Sequence, residues 1–382
     1  MDENALIPAE FWKGRRVFVT GHTGFKGSWL TRWLTMLGAR VSGYAWDRDE
    51  HKLFPLIGDG LGVRTVWADV RNRQRLDAAL REAAPEVVFH LAAQPLVRTS
   101  YQFPADTFEV NVMGTVNLLE AVASAVDSGI AVKAVVNVTT DKCYDNREWI
   151  WGYRETDPLG GYDPYSSSKA CSELVTQAYR NSYFHPARYA EHGVAVATAR
   201  AGNVIGGGDD SMDRLVPDCL RAFAAGNRPL LRSPGATRPW QHVLEPLGGY
   251  LLLAEKLVRG GAEYASAWNF GPGEQSVHSV EKVAVRLAAI WGEGAGVEKT
   301  AGSGLHEAGE LQLDSTKARR LLDWRSRWSV EQALQKTVEW HRALQAGKDI
   351  RQFSEQQICE YMLVNLQEGN NDNYQSMHDC TQ

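Results

Sequence analysis

Short apolar runs alternate with segments of helical periodicity through the first two hundred residues, which is the pattern of a parallel α/β sheet. Arg16–Thr20 (RVFVT) predicts a first buried strand, and Leu30, Trp33, Leu34 and Leu37 then recur at i, i+3, i+4 and i+7 on one helix face. Further strands are predicted at Val41–Ala45, Thr65–Ala68, Val87–Leu91, Ala134–Thr139 and Val194–Ala199. Helical patterns at Arg73–Ala84, Phe108–Ala125 and Ser168–Tyr179 separate most of them. Six strands with crossover helices imply an α/β fold with a Rossmann-type, doubly wound parallel sheet.

From about Ile205 the texture turns to Gly- and Pro-rich turns, short strands and shorter helices. The expected division is a dinucleotide-binding unit over 1–204, then a smaller C-terminal substrate-binding lobe over 205–345 with the chain crossing back. A C-terminal helix and tail follow over 346–382, and Glu368–Gln382, with little to bury, is expected to be disordered.

Composition narrows the class. With 382 residues, 44% hydrophobic and 23% charged, the chain can bury a large core, and a net charge of −5 disfavours nucleic acid or anionic membrane as partners. The five cysteines are scattered and none pair at a metal-ligand spacing, so neither a metal site nor a disulfide framework is expected. No apolar run reaches membrane length and the first residues lack a signal-peptide pattern, so a cytoplasmic protein is the expectation.

The candidate chemistry begins directly after the first strand with GHTGFKG, whose Gly21, Gly24 and Gly27 precede a helix expected from Ser28. A tight turn, close backbone approach and free helix N–H groups suit a dinucleotide pyrophosphate. Asp47 ends the second strand about twenty residues on, where an acid accepts from ribose hydroxyls; this favours NAD, although Arg48 beside it can bind a 2′-phosphate. Asp69 and Val70, after the third strand, stand at the usual adenine edge, or Asp69 caps its loop.

Tyr165 and Lys169 form a YxxxK pair on one helix face. Tyrosine works as a base only if its pKa falls toward neutrality, which requires roughly 4 kcal/mol, and a nearby ammonium supplies about that at an effective dielectric near 20. Thr140 ends the fifth strand, where ligands of such sheets bind, and its hydroxyl can share a proton with Tyr165. Arg98, Arg232 and Arg238 are candidate phosphate forks. His90 and His242 are expected to be structural.

GHTGFKG, FHLAAQPLVR, TTDK, YSSSK, RAGNVIGGG, RPWQHVLEP and WNFGPG occur in this order, and the series continues through HEAGELQLDSTKARRLLDW. Together they resemble the extended short-chain dehydrogenase/reductases, and among these the nucleotide-sugar 4,6-dehydratases. GHTGFKGSW, Asp141-Lys142 and RPWQHVLEPL resemble the cytidine-sugar branch. The resemblance implies NAD as a bound cofactor and CDP-glucose as substrate, converted by oxidation at carbon 4, loss of water across carbons 5 and 6, and hydride return to carbon 6. It implies further cofactor contacts from Thr23, Phe25, Leu91, Ala92, Ala93, Gln94, Asn111 and Thr139, beside Tyr165 and Lys169. Substrate contacts are implied at Asn203, Leu215, Val216 and Gln241. Where the thymidine-sugar enzymes have consecutive Asp and Glu, this chain has Asp141 and Lys142: Asp141 carries over as acid, and Lys142 is either the base or a charge that steadies the enolate. The alternative is a dehydratase or epimerase for another nucleotide sugar, and a non-catalytic dinucleotide sensor is a third reading. A homodimer or tetramer is implied, with a four-helix contact seamed by Val112, Val116 and Leu119.

Overall fold

The computed structural model describes residues 7–46, 52–58, 60–273, 276–299 and 309–364. Asp47, Arg48 and the tail after Val364 lie outside these residues.

Strands are numbered along the chain. The large sheet comprises β1 Arg16–Thr20, β2 Arg40–Ala45, β3 Arg64–Trp67, β4 Val87–His90, β5 Ala134–Val138, β6 Ala195–Ala201 and β10 Ala267–Phe270. Their order is β10-β6-β5-β4-β1-β2-β3, and every pairing is parallel. All six predicted strands form. The seventh, β10, is a four-residue edge strand contributed from beyond residue 204, too short to stand out by periodicity.

A parallel sheet is covered on both faces, so its strands read as nearly continuous apolar runs. Alternation still sorts them: Val17, Val19, Val87, Phe89 and Val136 join one core, while Phe18, Val88, Val135 and Val196 join the other. The helix Phe25–Met36 is buried almost all round, which its one-sided pattern did not predict. Helices Leu244–Gly260 and Ile350–Leu363 both pack on it, the second bringing Tyr361 edge-on to Trp33 at 5.6 Å. Truncating a fully buried leucine here, such as Leu30, would cost about 2–5 kcal/mol.

The smaller part contains β7 Asn203–Ile205, β9 Thr237–His242 and β11 Val277–Ser279 in the order β11-β9-β7. A two-stranded ribbon joins β8 Leu230–Leu231 to β12 Glu298–Lys299. The strand order reverses between β1 and β4, and ligands of open α/β sheets bind outside the carboxyl ends at such a switch. Among the described residues no helix is long and apolar enough to cross a membrane, and no cluster of three metal-ligating side chains occurs.

Candidate active site

The turn after β1 has the shape its glycines require. Gly21 takes φ +70°, and a Cβ there would sit 2.7 Å from the Ala92 amide; a Cβ on Gly27 would sit 2.0 Å from the Gly21 carbonyl. The helix therefore starts at Phe25, earlier than Ser28, with Gly24 as its N-cap. A Cβ at Gly24 would meet only the Gly21 oxygen, at 3.5 Å, so open space lies before the helix N–H groups. These features fit a pyrophosphate cradle.

Around it several implied cofactor residues are tied to protein. Asp69 accepts from the Arg71 amide at 2.8 Å and from its guanidinium, capping the loop; burial alone would raise its carboxyl, but Arg71 holds it below the usual range. Asn111, in a π-helical turn over Glu109–Met113, accepts from the Gln94 amide at 2.8 Å and donates to Ser168 at 2.9 Å. Gln94 donates in turn to Thr107 at 2.9 Å, so these residues brace the loop Leu91–Ala93. Val70 is buried against Gly114, and Thr23 is buried. His90 and His242 are buried, and burial pushes both down to about 3; Thr20 lies 2.7 Å from His90, and the Leu244 amide donates to His242 at 3.3 Å.

A cavity of about 930 Å³ opens between the carboxyl ends of the large sheet and the smaller part. Thr140, Lys142 and Tyr165 line it together with Arg98, Arg232, Arg238, Asn203, Leu215 and Val216. Gln241 does not line it. Side chains alternate along β9, so Arg238 and Trp240 face the cavity while Gln241 turns away, is buried and donates to the Phe270 carbonyl at 2.8 Å. Arg238 is held by the Thr237 carbonyl at 2.7 Å. Arg232 and Arg98 converge on one carboxylate, Asp213, at 2.6 and 3.5 Å.

The reacting side is compact. Thr140 donates to Asp141 Oδ1 at 3.0 Å, and Lys142 Nζ donates to the same oxygen at 3.1 Å and to Asn203 Oδ1 at 3.3 Å. Asp141 was expected to meet the substrate directly, but its side chain is 0% exposed, behind Thr140 and Lys142. Gly202 makes this depth possible, since a Cβ there would lie 2.9 Å from Asp141 Oδ2. Thr139 donates to Glu173 at 2.5 Å.

Tyr165 departs from the expected tuning. Burial pushes its phenol up to about 12, against a hydrogen bond with Thr140 and the charge of Arg214. The Lys169 amine donates to the Val138 carbonyl at 3.2 Å, and burial lowers it to about 8.

The cavity residues that escaped the sequence reading include Lys26, Arg214 and Trp240. Lys26 lines the cavity, 3.4 Å from the Tyr250 hydroxyl, and burial followed by the charges of Arg214 and Lys169 lowers it to about 7. A cation in the first turn of a helix opposes the helix dipole, and that was a usable signal. Arg214 and Trp240 gave none, because only the fold brings them to the cavity.

Residues 17–271 match the NAD dependent epimerase/dehydratase family. The chain belongs to that family. Its relatives within the family include the CDP-glucose 4,6-dehydratase of Salmonella typhimurium, 49% identical over 94% of this chain and 99% of that one. A UDP-glucose 4-epimerase of Mycolicibacterium smegmatis is 28% identical over 86% of this chain and 98% of its own length. Among solved structures of the family, the dTDP-glucose 4,6-dehydratase DesIV of Streptomyces venezuelae, crystallised with NAD bound, superposes with a TM-score of 0.73 at 28% identity, covering 87% of this chain and 98% of that one.

Proposed function

We propose that this chain is a CDP-glucose 4,6-dehydratase, converting CDP-D-glucose to CDP-4-dehydro-6-deoxy-D-glucose and water. The observation that carries the reading is that Thr140 and Lys142, which line the cavity with Tyr165, both bond to the buried Asp141 Oδ1. An epimerase needs no acid beside its Thr and Tyr. The cytidine preference follows the relative that is 49% identical.

The residues that would hold NAD are Gly24, Phe25 and the first helical amides, the loop Leu91–Gln94, and Lys169. When bound, NAD supplies a place for the hydride between its removal from carbon 4 and its delivery to carbon 6, and a positive ring charge. Tyr165 takes the proton of the 4-hydroxyl while Thr140 holds that hydroxyl in line. The resulting ketone acidifies carbon 5. Lys142 takes the carbon 5 proton, and the carbon 6 hydroxyl departs with a proton from the Asp141–Lys142 pair. A carboxylic acid with a neutral amine holds as many protons as carboxylate with ammonium, so the pair can supply the acid and the base without an outside proton. Because Asp141 lies behind its neighbours, its proton travels by way of the Lys142 amine or the Thr140 hydroxyl. Arg98, Arg232 and Arg238 receive the diphosphate, and Leu215 and Val216 the base.

The chain is further proposed to form a homodimer through the helices around residues 104–127 and 164–182. Leu119 is fully buried in its own core, so it cannot seam such a contact; Phe108, Met113 and Leu174 are the exposed apolar positions there. A mass measurement giving only monomer at micromolar concentration would contradict this.

The activity is tested by incubating the purified chain with CDP-, dTDP-, UDP- and GDP-glucose side by side and reading 4-keto sugar. Only the CDP sugar is expected to turn over efficiently. Equal turnover of dTDP-glucose, or none of any sugar, would overturn the reading.

A further inference from the structure

The dehydratase reaction leaves its two proton sites out of balance. Oxidation at carbon 4 puts the proton of the 4-hydroxyl on Tyr165. Elimination draws one proton from the Asp141–Lys142 pair to release the carbon 6 hydroxyl as water. The proton removed from carbon 5 matches the one that carbon 5 regains when hydride reaches carbon 6. At the end Tyr165 holds one proton too many and the pair one too few. The two acids at these ends are shielded, Tyr165 at 9% and Asp141 at 0% exposure, and only Lys142, at 28%, opens on the cavity.

The two ends are joined through one hydroxyl. Thr140 lines the same cavity as Tyr165, where its hydroxyl acts on the phenol, and it donates to Asp141 Oδ1 at 3.0 Å. Lys142 reaches the same oxygen at 3.1 Å, so the oxidation and elimination groups meet at a single carboxylate. The other oxygen, Oδ2, is buried without a partner among the described residues. A hydroxyl accepts one proton while donating another, which neither a carboxylate nor an ammonium does.

We propose that Thr140 is the proton relay that resets the site after each turnover, an inference that rests on the dehydratase reading. The Tyr165 O–H breaks as an O–H forms on Thr140, and the original Thr140 O–H breaks as Asp141 gains its proton. The proton taken from the 4-hydroxyl thus replaces the one lost in water, and the count closes with no outside acid. The direction follows from the state left by the chemistry: the pair is a proton short, and a restored positive charge beside Tyr165 acidifies its phenol.

The test compares Thr140→Val, which removes the hydroxyl at nearly constant volume, with Thr140→Ser, which keeps it. Product is followed by rapid quench with excess CDP-glucose, with and without imidazole as a small proton carrier. Thr140→Val is expected to form one product per site and then run about 10²-fold slower than its own first turnover. Imidazole should raise the later rate and leave the first unchanged, while Thr140→Ser shows neither the burst nor the imidazole response. Equal slowing of first and later turnovers, with no imidazole response, would overturn the relay and leave Thr140 a contact to the sugar. If circular dichroism shows that the valine variant has lost its fold, Thr140→Ala is expected to give the same burst and rescue, and its absence there overturns the relay equally. Wild-type chain run alongside separates the two ideas: no turnover of CDP-glucose removes the dehydratase reading, and the relay with it.

Discussion

Two carboxylate–cation pairs lie side by side at the end of β5 and β6, and they are built to opposite standards. In Glu173–Arg200 both partners are 3% exposed and 2.7 Å apart. Glu173 also accepts from Thr139 and Thr198, and Arg200 donates to the Tyr144 hydroxyl at 2.7 Å. Burial alone would raise the Glu173 carboxyl, but Arg200 and the two threonines hold it below its ordinary range; Arg200 is held well above its own. Those charges are fixed. In Asp141–Lys142 the acid is fully buried with one oxygen unpartnered, while the lysine is 28% exposed toward the cavity. Arg200 Nε is also buried without a partner among the described residues, but both carboxylate oxygens of Glu173 are bonded, which makes that pair structural, whereas the half-bonded Asp141 carboxylate leaves a proton free to move.

The comparison can be broken first at the two tyrosines. Tyr165→Phe should lower turnover by about 10²–10⁴-fold with the fold and cofactor content intact. Tyr144→Phe, which removes the hydroxyl serving Arg200, should cost about 1 kcal/mol of stability and leave turnover near normal. Similar loss of turnover in both would erase the distinction.

Next come the acids. Glu173→Gln leaves Arg200 as an uncompensated buried charge and should destabilise the chain by about 3–5 kcal/mol in denaturant unfolding. Asp141→Asn should stay within about 1 kcal/mol of wild type, because its partner can turn its charge to the cavity. In a single turnover, Asp141→Asn and Lys142→Met should each accumulate the near-ultraviolet absorbance of reduced nicotinamide with little product. Normal elimination by Lys142→Met would make the lysine neither base nor enolate stabiliser.

A separate effect, on stability rather than turnover, concerns Lys26. Its amine sits at about 7 in the folded chain against 10.5 unfolded, so between these values the unfolded chain binds the extra proton. Stability therefore rises with pH across that window, and the full penalty is present below about pH 7. Lys26→Met should raise the thermal midpoint at neutral pH and flatten its rise toward about pH 9. An unchanged pH slope would mean that the amine is not desolvated.

Much of this layout was legible in the sequence. Strand periodicity marked six of the large-sheet strands, and glycines at a strand–helix junction marked the turn, because burial and backbone conformation leave local traces. Partnerships between distant residues leave none. Gln241 was misplaced because the register of β9 decides which alternate positions, Arg238 and Trp240, face the cavity. Asp141 was placed on the surface of the site because its depth depends on Gly202, some sixty residues away. Helix spacing pairs Lys169 with Tyr165, but it gives no sign of the Val138 carbonyl that takes the Lys169 amine.

The most direct test of the dehydratase reading is to place deuterium on carbon 4 of CDP-glucose and locate it in the product. A site that oxidises, eliminates and returns the same hydride is expected to carry the label into the carbon 6 methyl group, with no net consumption of NAD. Label lost to solvent, or gathered in reduced cofactor, would contradict it.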